Sequence, residues 1–457
     1  MKLLIKNGKI IQADSDQKLD ILCENGVISQ LQTRLPEQEA DQVIDAKGCY
    51  VFPGGIDPHV HMHLPSKAGF SSDDFYHGSK AALFGGTTTL IDFVTPFKGQ
   101  SLIDALKERK DDAADALTDY SFHLSPVEWR DTTAAEIKTC IEQEGISSFK
   151  IYMAYKKAIG LEDDIIQKVL KTVGKYGGLV TAHCELGDEI EKLRENLIAT
   201  GKTAPEFHPL SRPSDLEAKA VDNFIKMGKK AGCPVYIVHV STAQSIPFIA
   251  QAQEEGQAVF AETCPQYLLL DDSKYQGSFS EAAPYVMSPP LRKKEDNRGL
   301  WKALEKGIIQ TVGTDHCPFS IAQKKSGVKD FRKIPNGAGG VEHRMALLYT
   351  YGVLQNKISL QDFVALTSTN AAKIFGLYPK KGVIQVGSDA DLVVWNPNIE
   401  SIISAKTHHS LADTNIFEGI PVKGAPDYVI TRGKIRIKHQ KLQDDTPASF
   451  LWRPIER

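Results

Sequence analysis

The chain has 457 residues, of which 42% are hydrophobic and 24% are charged, and its formal net charge at pH 7 is -3. A chain of this length usually folds as two domains, or as one large barrel with an added domain, so a sizeable core is available. Because basic residues are not in excess and no long run of like charge is present, the composition argues against nucleic acid as a partner.

The cysteines and the hydropathy indicate the cellular compartment. The seven cysteines occur singly, without a C-x-x-C pair, and their number is odd. Neither a disulfide framework nor a zinc site made of thiolates is therefore expected, and a reducing cytoplasm fits best. No run of about 18 apolar residues is present, and Asn7-Gly8 interrupts the first apolar run. The sequence thus predicts a cytoplasmic protein that neither enters a membrane nor carries an export signal.

The two ends of the chain share one pattern. In the first fifty residues, short runs alternate between apolar and polar and are interrupted by Asn7-Gly8 and Asn25-Gly26, as is typical of β-hairpins. A similar pattern returns in residues 382–395 and 427–437. We therefore predict that both ends contribute strands to one small β-sandwich.

Between these ends, apolar runs rich in β-forming residues alternate with segments of helical period. Two such segments begin with capping-box pairs, Ser214 with Glu217 and Ser359 with Asp362. Regular alternation predicts a parallel sheet, and eight repeats that close on themselves give a (β/α)₈ barrel. A doubly wound open sheet is the alternative, but no G-x-G-x-x-G turn follows the first strand. The candidate strands are YVFPGGIDPHVH, TTTLIDF, DYSFHLSP, SSFKIYMAY, GLVTAHCE, PVYIVHVS, AVFAETCPQYLLL and IIQTVGTDHCPF.

The predicted architecture therefore has three parts in chain order. Residues 1–52 form the N-terminal part of the β-sandwich, residues 53–378 form the barrel, and residues 379–457 form the C-terminal part of the sandwich with a tail. The barrel is expected to carry the chemistry, because this fold places its active sites at the carboxyl ends of its strands.

Several of the candidate barrel strands end in side chains that bind metal ions. His59 and His61 present both imidazoles to one side of an extended strand, because alternate residues share a face. A lone strand histidine is more often a hydrogen-bonded core residue than a ligand, but the combination of strand ends predicts a metal site. The candidate ligands are His59, His61, Lys150, His183, His239 and Asp315.

The ligand types narrow the choice of metal. Imidazole and carboxylate ligands without thiolate suit zinc, manganese, iron or nickel, and zinc is the default. Lys150 is the exception, because a dication repels an ammonium. It is either a lysine whose charge reaches the surface or, after reaction with carbon dioxide, a carbamate that bridges two metal ions.

The motifs at these positions resemble those of the dihydropyrimidinase and hydantoinase family of cyclic amidohydrolases, over nearly the whole length of the chain. HVH alone is moderately specific, whereas the full set is highly specific. The motifs are PGGIDPHVH (53–61), GGTTTLIDF (85–93), FKIYMAYK (149–156), AHCE (182–185), VHVS (238–241), ETCPQYLLLD (262–271), SPPLR (288–292), GTDHCPF (313–319) and IPNG (334–337).

This resemblance implies a binuclear zinc centre with a carboxylated Lys150 as the bridge. One set of residues would bind the more buried ion, namely His59, His61 and Asp315. His183 and His239 would bind the second ion.

The resemblance also implies the reaction. A hydroxide formed on the ions would open a dihydropyrimidine or hydantoin ring to an N-carbamoyl amino acid. Asp315 would move the proton from the nucleophile to the leaving nitrogen, Tyr155 would donate its hydroxyl to the oxyanion, and the main chain of Ser288 and Asn336 would bind the ring amide. The resemblance further implies a homotetramer or dimer.

Two departures from the family pattern concern specificity. The family commonly reads HAENGD where this chain reads HCELGD, which alters the surroundings of His183. After His61 the usual run is near LDMPF, whereas this chain reads MHLPSKAGF. These changes affect the residues around the substrate rather than the predicted ligands.

Related activities are less well supported by the sequence. A dihydroorotase usually has an arginine two residues after the H-x-H pair, where this chain has His63, which is otherwise an ordinary loop residue. Allantoinases generally lack the tyrosine that matches Tyr155. Non-enzymatic scaffold proteins of this fold lose the ligands, whereas all six positions are filled here. A metal-free sugar or phosphate enzyme would need paired carboxylates or a phosphate-binding glycine loop, and neither is convincing here.

Overall fold

The first fifty residues form short strands that belong to two different sheets. The computed structural model, which describes residues 2–455, has β1 (Lys2–Lys6), β2 (Lys9–Ile11), β3 (Asp16–Gln17), β4 (Asp20–Glu24), β5 (Val27–Gln32), β6 (Gln42–Asp45) and β7 (Tyr50–Pro53) here. β1 pairs with β4 and β6, whereas β2 pairs with β3 and β7. The hairpin predicted at Asn7-Gly8 is therefore wrong, because the chain crosses there between sheets. The hairpin at Asn25-Gly26 is confirmed, since it joins antiparallel β4 and β5.

Eight parallel strands form the central sheet, which confirms the predicted (β/α)₈ barrel. They follow one another in chain order, and a bridge from Val60 to His316 joins the first strand to the residues after the last one. This closure excludes the doubly wound open sheet. In chain order the segments are β8 (Gly55–Val60), the small hairpin of β9 (Pro65–Ser66) and β10 (Gly69–Phe70), β11 (Thr87–Val94), β12 (Asp119–Leu124), β13 (Ser148–Tyr152), β14 (Leu179–His183), β15 (Val235–Ile237), β16 (Val259–Thr263) and β17 (Thr311–Val312).

Helices connect these strands. Ser359 and Asp362 form the predicted capping box. The capping box predicted for Ser214 and Glu217 is wrong, because Glu217 is buried and accepts hydrogen bonds from Ser241 and Arg292 instead. The helices are α1 (Phe75–Phe84), α2 (Leu102–Asp112), α3 (Thr133–Glu142), α4 (Asp163–Lys175), α5 (Gly187–Ala199), α6 (Ser214–Ala231), α7 (Ile246–Glu254), α8 (Pro265–Leu269), α9 (Phe279–Ala282), α10 (Lys294–Glu305), α11 (Ile321–Lys324), α12 (Arg344–Leu348), α13 (Leu360–Val364) and α14 (Asn370–Ile374).

The C-terminal strands complete the sandwich that was predicted from both ends of the chain. These strands are β18 (Leu392–Ile402), β19 (Pro421–Thr431), β20 (Lys434–Lys438) and β21 (Lys441–Leu442). β18 pairs with β7, so N-terminal and C-terminal strands share one seven-stranded sheet. The run YVFPGGIDPHVH accordingly divides, because its first four residues are β7 and only β8 enters the barrel. Leu3, Ile21, Leu392 and Ile430 belong to one apolar core that unites both ends.

The barrel gathers the carboxyl ends of its strands at one mouth, because all eight strands are parallel. The C-terminal segment pairs at the opposite end, where Phe450 forms a bridge with Tyr120, and Arg453 donates hydrogen bonds to Ser121 and Ser148. β8, β11, β12, β13 and β14 are buried along their whole length. Polar side chains that end these strands therefore need partners inside the protein or a ligand. Over residues 2–455, no helix has the length and apolar character needed to span a membrane.

Candidate metal centre

Two histidines and an aspartate converge at the junction between β8 and the end of β17. Nε2 of His59 lies 3.2 Å from Oδ1 of Asp315, and Nε2 of His61 lies 3.1 Å from the same oxygen. One ligand atom from each of the three residues lies within 4.8 Å of the others. The main chain sets this geometry, because the Asp315 amide donates to the His59 carbonyl, and the His61 amide donates to the carbonyl of His316. The arrangement presents two imidazoles and one carboxylate to a single point.

Glu262, at the end of β16, orients His59. Its Oε1 accepts the Nδ1 proton of His59 at 2.7 Å, and its Oε2 accepts the hydroxyl of Tyr236 at 2.9 Å. Burial alone would lower the pKa of His59, but the charges of Glu262 and Asp315 raise it to about 9. Nε2 of His59 is buried and has no well-directed hydrogen bond within the described part of the chain. A carboxylate behind one ring nitrogen and an unsatisfied second nitrogen are the arrangement of a metal-binding histidine.

His183 and His239 form a second pair at the ends of β14 and β15. Nδ1 of His183 lies 3.0 Å from Nε2 of His239, and burial lowers the pKa of both imidazoles. Nε2 of His183 donates to Glu185 at 2.6 Å, and Arg212 pairs with the same carboxylate. Burial by itself raises the pKa of Glu185, but Arg212 and His183 lower it to about 2. Glu185 therefore orients His183 as Glu262 orients His59, so that Nδ1 faces His239.

The two groups of ligands are adjacent. The ring centroids of His59 and His239 are 5.3 Å apart, and the main-chain amide of His239 donates to Glu262 at 3.2 Å. The ring of Phe93 lies 4.7 Å from the rings of both His59 and His61. All four imidazoles thus surround one region at the mouth of the barrel.

Lys150, on β13, is buried beside these imidazoles. Burial lowers the pKa of its ammonium to about 8, against the opposing effect of the Asp315 and Glu262 charges. Its Nζ lies 5.0 Å from the ring centroid of Phe93 and 5.3 Å from that of Tyr152. Within residues 2–455 the ammonium forms neither a hydrogen bond nor an ion pair. Lys150 is only 1% exposed, so the interpretation of Lys150 as a lysine whose charge reaches the surface is wrong.

Tyr155 lies at the edge of the second histidine pair. Its ring centroid is 5.3 Å from that of His183, and the guanidinium of Arg212 lies 5.2 Å from the centre of its ring. Arg212 therefore contacts both Tyr155 and the carboxylate that orients His183.

Ser288 and Asn336 lie on neighbouring segments beside Asp315. The amide of Cys317 donates to the carbonyl of Ala338, and the amide of Gly337 donates to the carbonyl of Val286. Segments 315–317, 336–338 and 286–288 therefore lie side by side. Nδ2 of Asn336 donates to Oγ of Ser288 at 2.9 Å.

Several residues at this mouth have strained backbone. Among residues 2–455, ten non-glycine residues have positive φ, and four of them are His63, Tyr155, His239 and Asp315. Non-glycine residues with positive φ are uncommon, and such strain is typical of functional sites. His239 and Asp315 adopt positive φ at the points where the strands end and the ligand side chains turn inward.

The donor set fits divalent metal ions. Four imidazoles and one carboxylate, backed by two further carboxylates, converge with a single buried amine in the described structure. Such nitrogen and oxygen ligands suit zinc and similar ions.

Comparison with known proteins places the chain in a family. A sequence profile of the amidohydrolase family matches residues 50–436. The chain belongs to the amidohydrolase family. The D-hydantoinase of Geobacillus stearothermophilus is 44% identical over 443 residues, which cover 96% of this chain and 94% of that protein. The dihydropyrimidinase of Rattus norvegicus is 42% identical over 441 residues, which cover 95% of this chain and 85% of that protein. The crystal structure of the dihydropyrimidinase from Brevibacillus agri NCHU1002 has a TM-score of 0.97 at 41% identity and covers 99% of each chain.

Membership of the amidohydrolase family confirms the resemblance seen in the motifs. The structure brings the predicted ligands together at one mouth, places Tyr155 beside them, and puts Ser288 in contact with Asn336. The roles of these residues stay predictions. Sequence reasoning assigned no role to Glu185 or Glu262, although each follows or ends a strand within a motif already noted. Arg212 lies in a loop, where no periodic signal marks it.

Proposed function

We propose that this amidohydrolase opens a cyclic amide ring, converting a dihydropyrimidine or hydantoin to an N-carbamoyl amino acid. The observation that carries the proposal is the convergence of four imidazoles and Asp315 around the buried Lys150. The high identity to D-hydantoinases and dihydropyrimidinases over nearly the full length supports the same substrate class.

Two zinc ions are the proposed cofactors. His59, His61 and Asp315 would hold one ion, and His183 and His239 would hold the other. Lys150 would bridge them as a carbamate, formed when its unprotonated amine adds to carbon dioxide and releases a proton. A pKa of about 8 leaves part of this amine unprotonated at neutral pH, which supports the reaction. Carboxylation also converts a repelled cation into an anionic ligand.

When bound, such ions supply Lewis acidity and lower the pKa of a coordinated water from about 15.7 toward 7. Burial by itself raises the pKa of Asp315, but the charge of His59 and the close approach of the His59 and His61 imidazoles hold this pKa well below its usual range. Asp315 is therefore a carboxylate at neutral pH, able to accept a proton and pass it to the leaving ring nitrogen.

Tyr155 and the segments beside Asp315 would bind the substrate. The Tyr155 hydroxyl would donate to the carbonyl oxygen as it gains charge, and one such donor is worth about 2.7 to 4 kcal/mol. The main chain at Ser288 and Asn336 would hydrogen-bond the ring amide and fix its orientation.

The surroundings of His63 favour neutral rings over dihydroorotate. The imidazole stacks on Phe70 at a centroid distance of 4.0 Å and an interplanar angle of 19°. A dihydroorotate carboxylate would need a permanent cation at this place, and leaving it unpaired would be costly. The presence of Tyr155 favours dihydropyrimidines and hydantoins over allantoin.

The sheet topology supports the proposed division at residues 1–52, 53–378 and 379–457, because β7 ends at Pro53 and β18 begins at Leu392. We further propose a cytoplasmic homo-oligomer, a tetramer or a dimer.

A substrate panel tests this function. Zinc-replete protein is incubated with dihydrouracil, hydantoin, 5-substituted hydantoins, allantoin and dihydroorotate, and ring opening is followed by the loss of ultraviolet absorbance. We expect turnover of dihydrouracil or hydantoins and little turnover of dihydroorotate. Preferred turnover of allantoin would replace the proposed substrate class, and no turnover of any ring by metal-replete protein would refute the enzymatic proposal.

A further inference from the structure

Lys324, the last residue of α11, is a second buried lysine outside the predicted ligand set. Its side chain is almost fully buried, and burial lowers the pKa of its ammonium to about 7. Within the described chain it pairs with no carboxylate. Nζ instead donates to the main-chain carbonyls of Val286 at 2.9 Å and Gly337 at 2.8 Å. Lysine is rarely buried without an acidic partner, because removing its charge from water is costly.

The two carbonyls belong to the segments proposed to bind the substrate. Val286 lies two residues before Ser288, and Gly337 directly follows Asn336. The Gly337 amide also donates to the Val286 carbonyl at 3.1 Å. Lys324 thus joins the two segments at the point where they already contact each other.

The join is tightly constrained. Gly337 has a φ of 140°, and a Cβ atom there would lie 2.3 Å from the carbonyl oxygen of Cys317. Cys317 follows Asp315 by two residues, so the segment of Asn336 is held against the ligand-bearing segment on one side and by Lys324 on the other. A shift of the ammonium would move the main chain at Ser288 and Asn336 relative to the ligand cluster.

We propose that Lys324 is a positioning residue for substrate binding, which holds the main chain of Ser288 and Asn336 in the register that binds the ring amide. This assignment rests on the proposed function. Lys324 does not touch the ligand cluster in the described structure, so its effect falls on binding rather than on the chemical step.

Lys324→Met keeps the approximate length of the side chain but removes the ammonium and with it both hydrogen bonds to the main chain. Lys325→Met, at the exposed neighbouring residue, is the matched control. For Lys324→Met we expect KM for dihydrouracil to rise about tenfold, which corresponds to the loss of one hydrogen bond between the displaced main chain and the ring amide. The kcat and the zinc content should stay near those of the wild type. Hydrogen exchange followed by mass spectrometry should show faster exchange in residues 286–289 and 335–338. Lys325→Met should change neither measurement.

An unchanged KM, or unchanged exchange in both segments, would overturn the proposal. A Lys324→Met protein that fails to fold, or that loses zinc together with kcat, would also overturn it, because Lys324 would then serve general stability. The proposed function fails separately if the metal-replete wild type opens none of the rings. The exchange measurement needs no turnover and still decides whether Lys324 holds the segments.

Discussion

Two buried glutamates set the direction in which the histidines present their nitrogens. Glu262 holds Nδ1 of His59 and Glu185 holds Nε2 of His183, so each imidazole presents its other nitrogen to the cluster. Such carboxylates fix the tautomer of a ligating histidine and raise its basicity. The two glutamates bind opposite ring nitrogens and come from different places in the chain, since Glu185 follows His183 by two residues whereas Glu262 lies 203 residues from His59.

Glu262→Gln should weaken metal binding. The glutamine keeps the size of the side chain but lacks the charge, and loss of such a partner typically costs about 10- to 100-fold in metal affinity. Competition with a fluorescent zinc chelator measures the change. Glu254→Gln, on the exposed surface of α7, is the control and should bind zinc like the wild type.

Asp315→Asn separates the proposed proton transfer from folding. The amide keeps an oxygen for the metal but accepts a proton poorly, so we expect zinc to remain bound while kcat falls by at least about 10²-fold. Elemental analysis and steady-state kinetics on the same preparation check both parts. Near-normal turnover by a metal-replete variant would remove Asp315 from its acid-base role.

At the scale of elements, local spacing predicted the barrel strands better than it predicted turns and caps. Alternating runs predicted the eight barrel strands, and the residue types at strand ends predicted side chains that the structure brings together, because both signals lie within a few residues. The hairpin predicted at Asn7-Gly8 was wrong because pairing with more distant strands places β1 and β2 in different sheets. The capping role predicted for Glu217 was wrong because its carboxylate binds Arg292, which lies 75 residues away in the chain.

The orienting residues were not predictable for the same reason. Glu262 meets His59 across 203 residues, and no local pattern encodes that contact. The sequence analysis assigned no role to Lys324 in KKSG, and only the fold brings its ammonium to the two carbonyls that it binds.

The two capping-box sequences, at Ser214 and Ser359, give a matched test of whether a local sequence pattern forms a stabilising cap. Ser359 caps α13 through hydrogen bonds in both directions, whereas Ser214 makes no capping bond. Ser359→Ala should lower the free energy of unfolding by about 1 kcal/mol. Ser214→Ala should change it by less than about 0.5 kcal/mol. Urea denaturation of both variants measures the difference, and equal effects would contradict the assignment.

At the scale of the whole molecule, a buried ion cluster joins the sandwich to the barrel. Nζ of Lys381 lies 2.6 Å from Asp119 at the start of β12 and 2.6 Å from Asp391 just before β18. A third carboxylate, that of Asp389, lies at 2.9 Å. The barrel and the composite sandwich therefore share one charged contact, which joins Asp119 of the barrel to three residues of the C-terminal part of the chain.

Lys381→Met should destabilise the protein strongly. Removing the ammonium leaves the buried Asp391 and the neighbouring Asp389 without this partner, while Asp119 keeps Arg432 at 3.0 Å. Breaking such a buried cluster costs about 3 to 5 kcal/mol. The shift in the urea midpoint measures this loss, with Lys380→Met at the exposed neighbour as the control. A midpoint equal to that of the control would show that the cluster does not hold the two parts together.

The proposed function requires two metal ions at the mouth of the barrel, which together catalyse ring opening. The most direct test is to strip the protein with a chelator and titrate zinc back in bicarbonate buffer, following bound zinc and hydrolysis of dihydrouracil together. We expect turnover to rise until two zinc ions are bound per chain, and we expect Lys150→Ala to lose one or both ions and most of its turnover. Full turnover by the stripped protein, or two ions and normal turnover in Lys150→Ala, would contradict the proposed function.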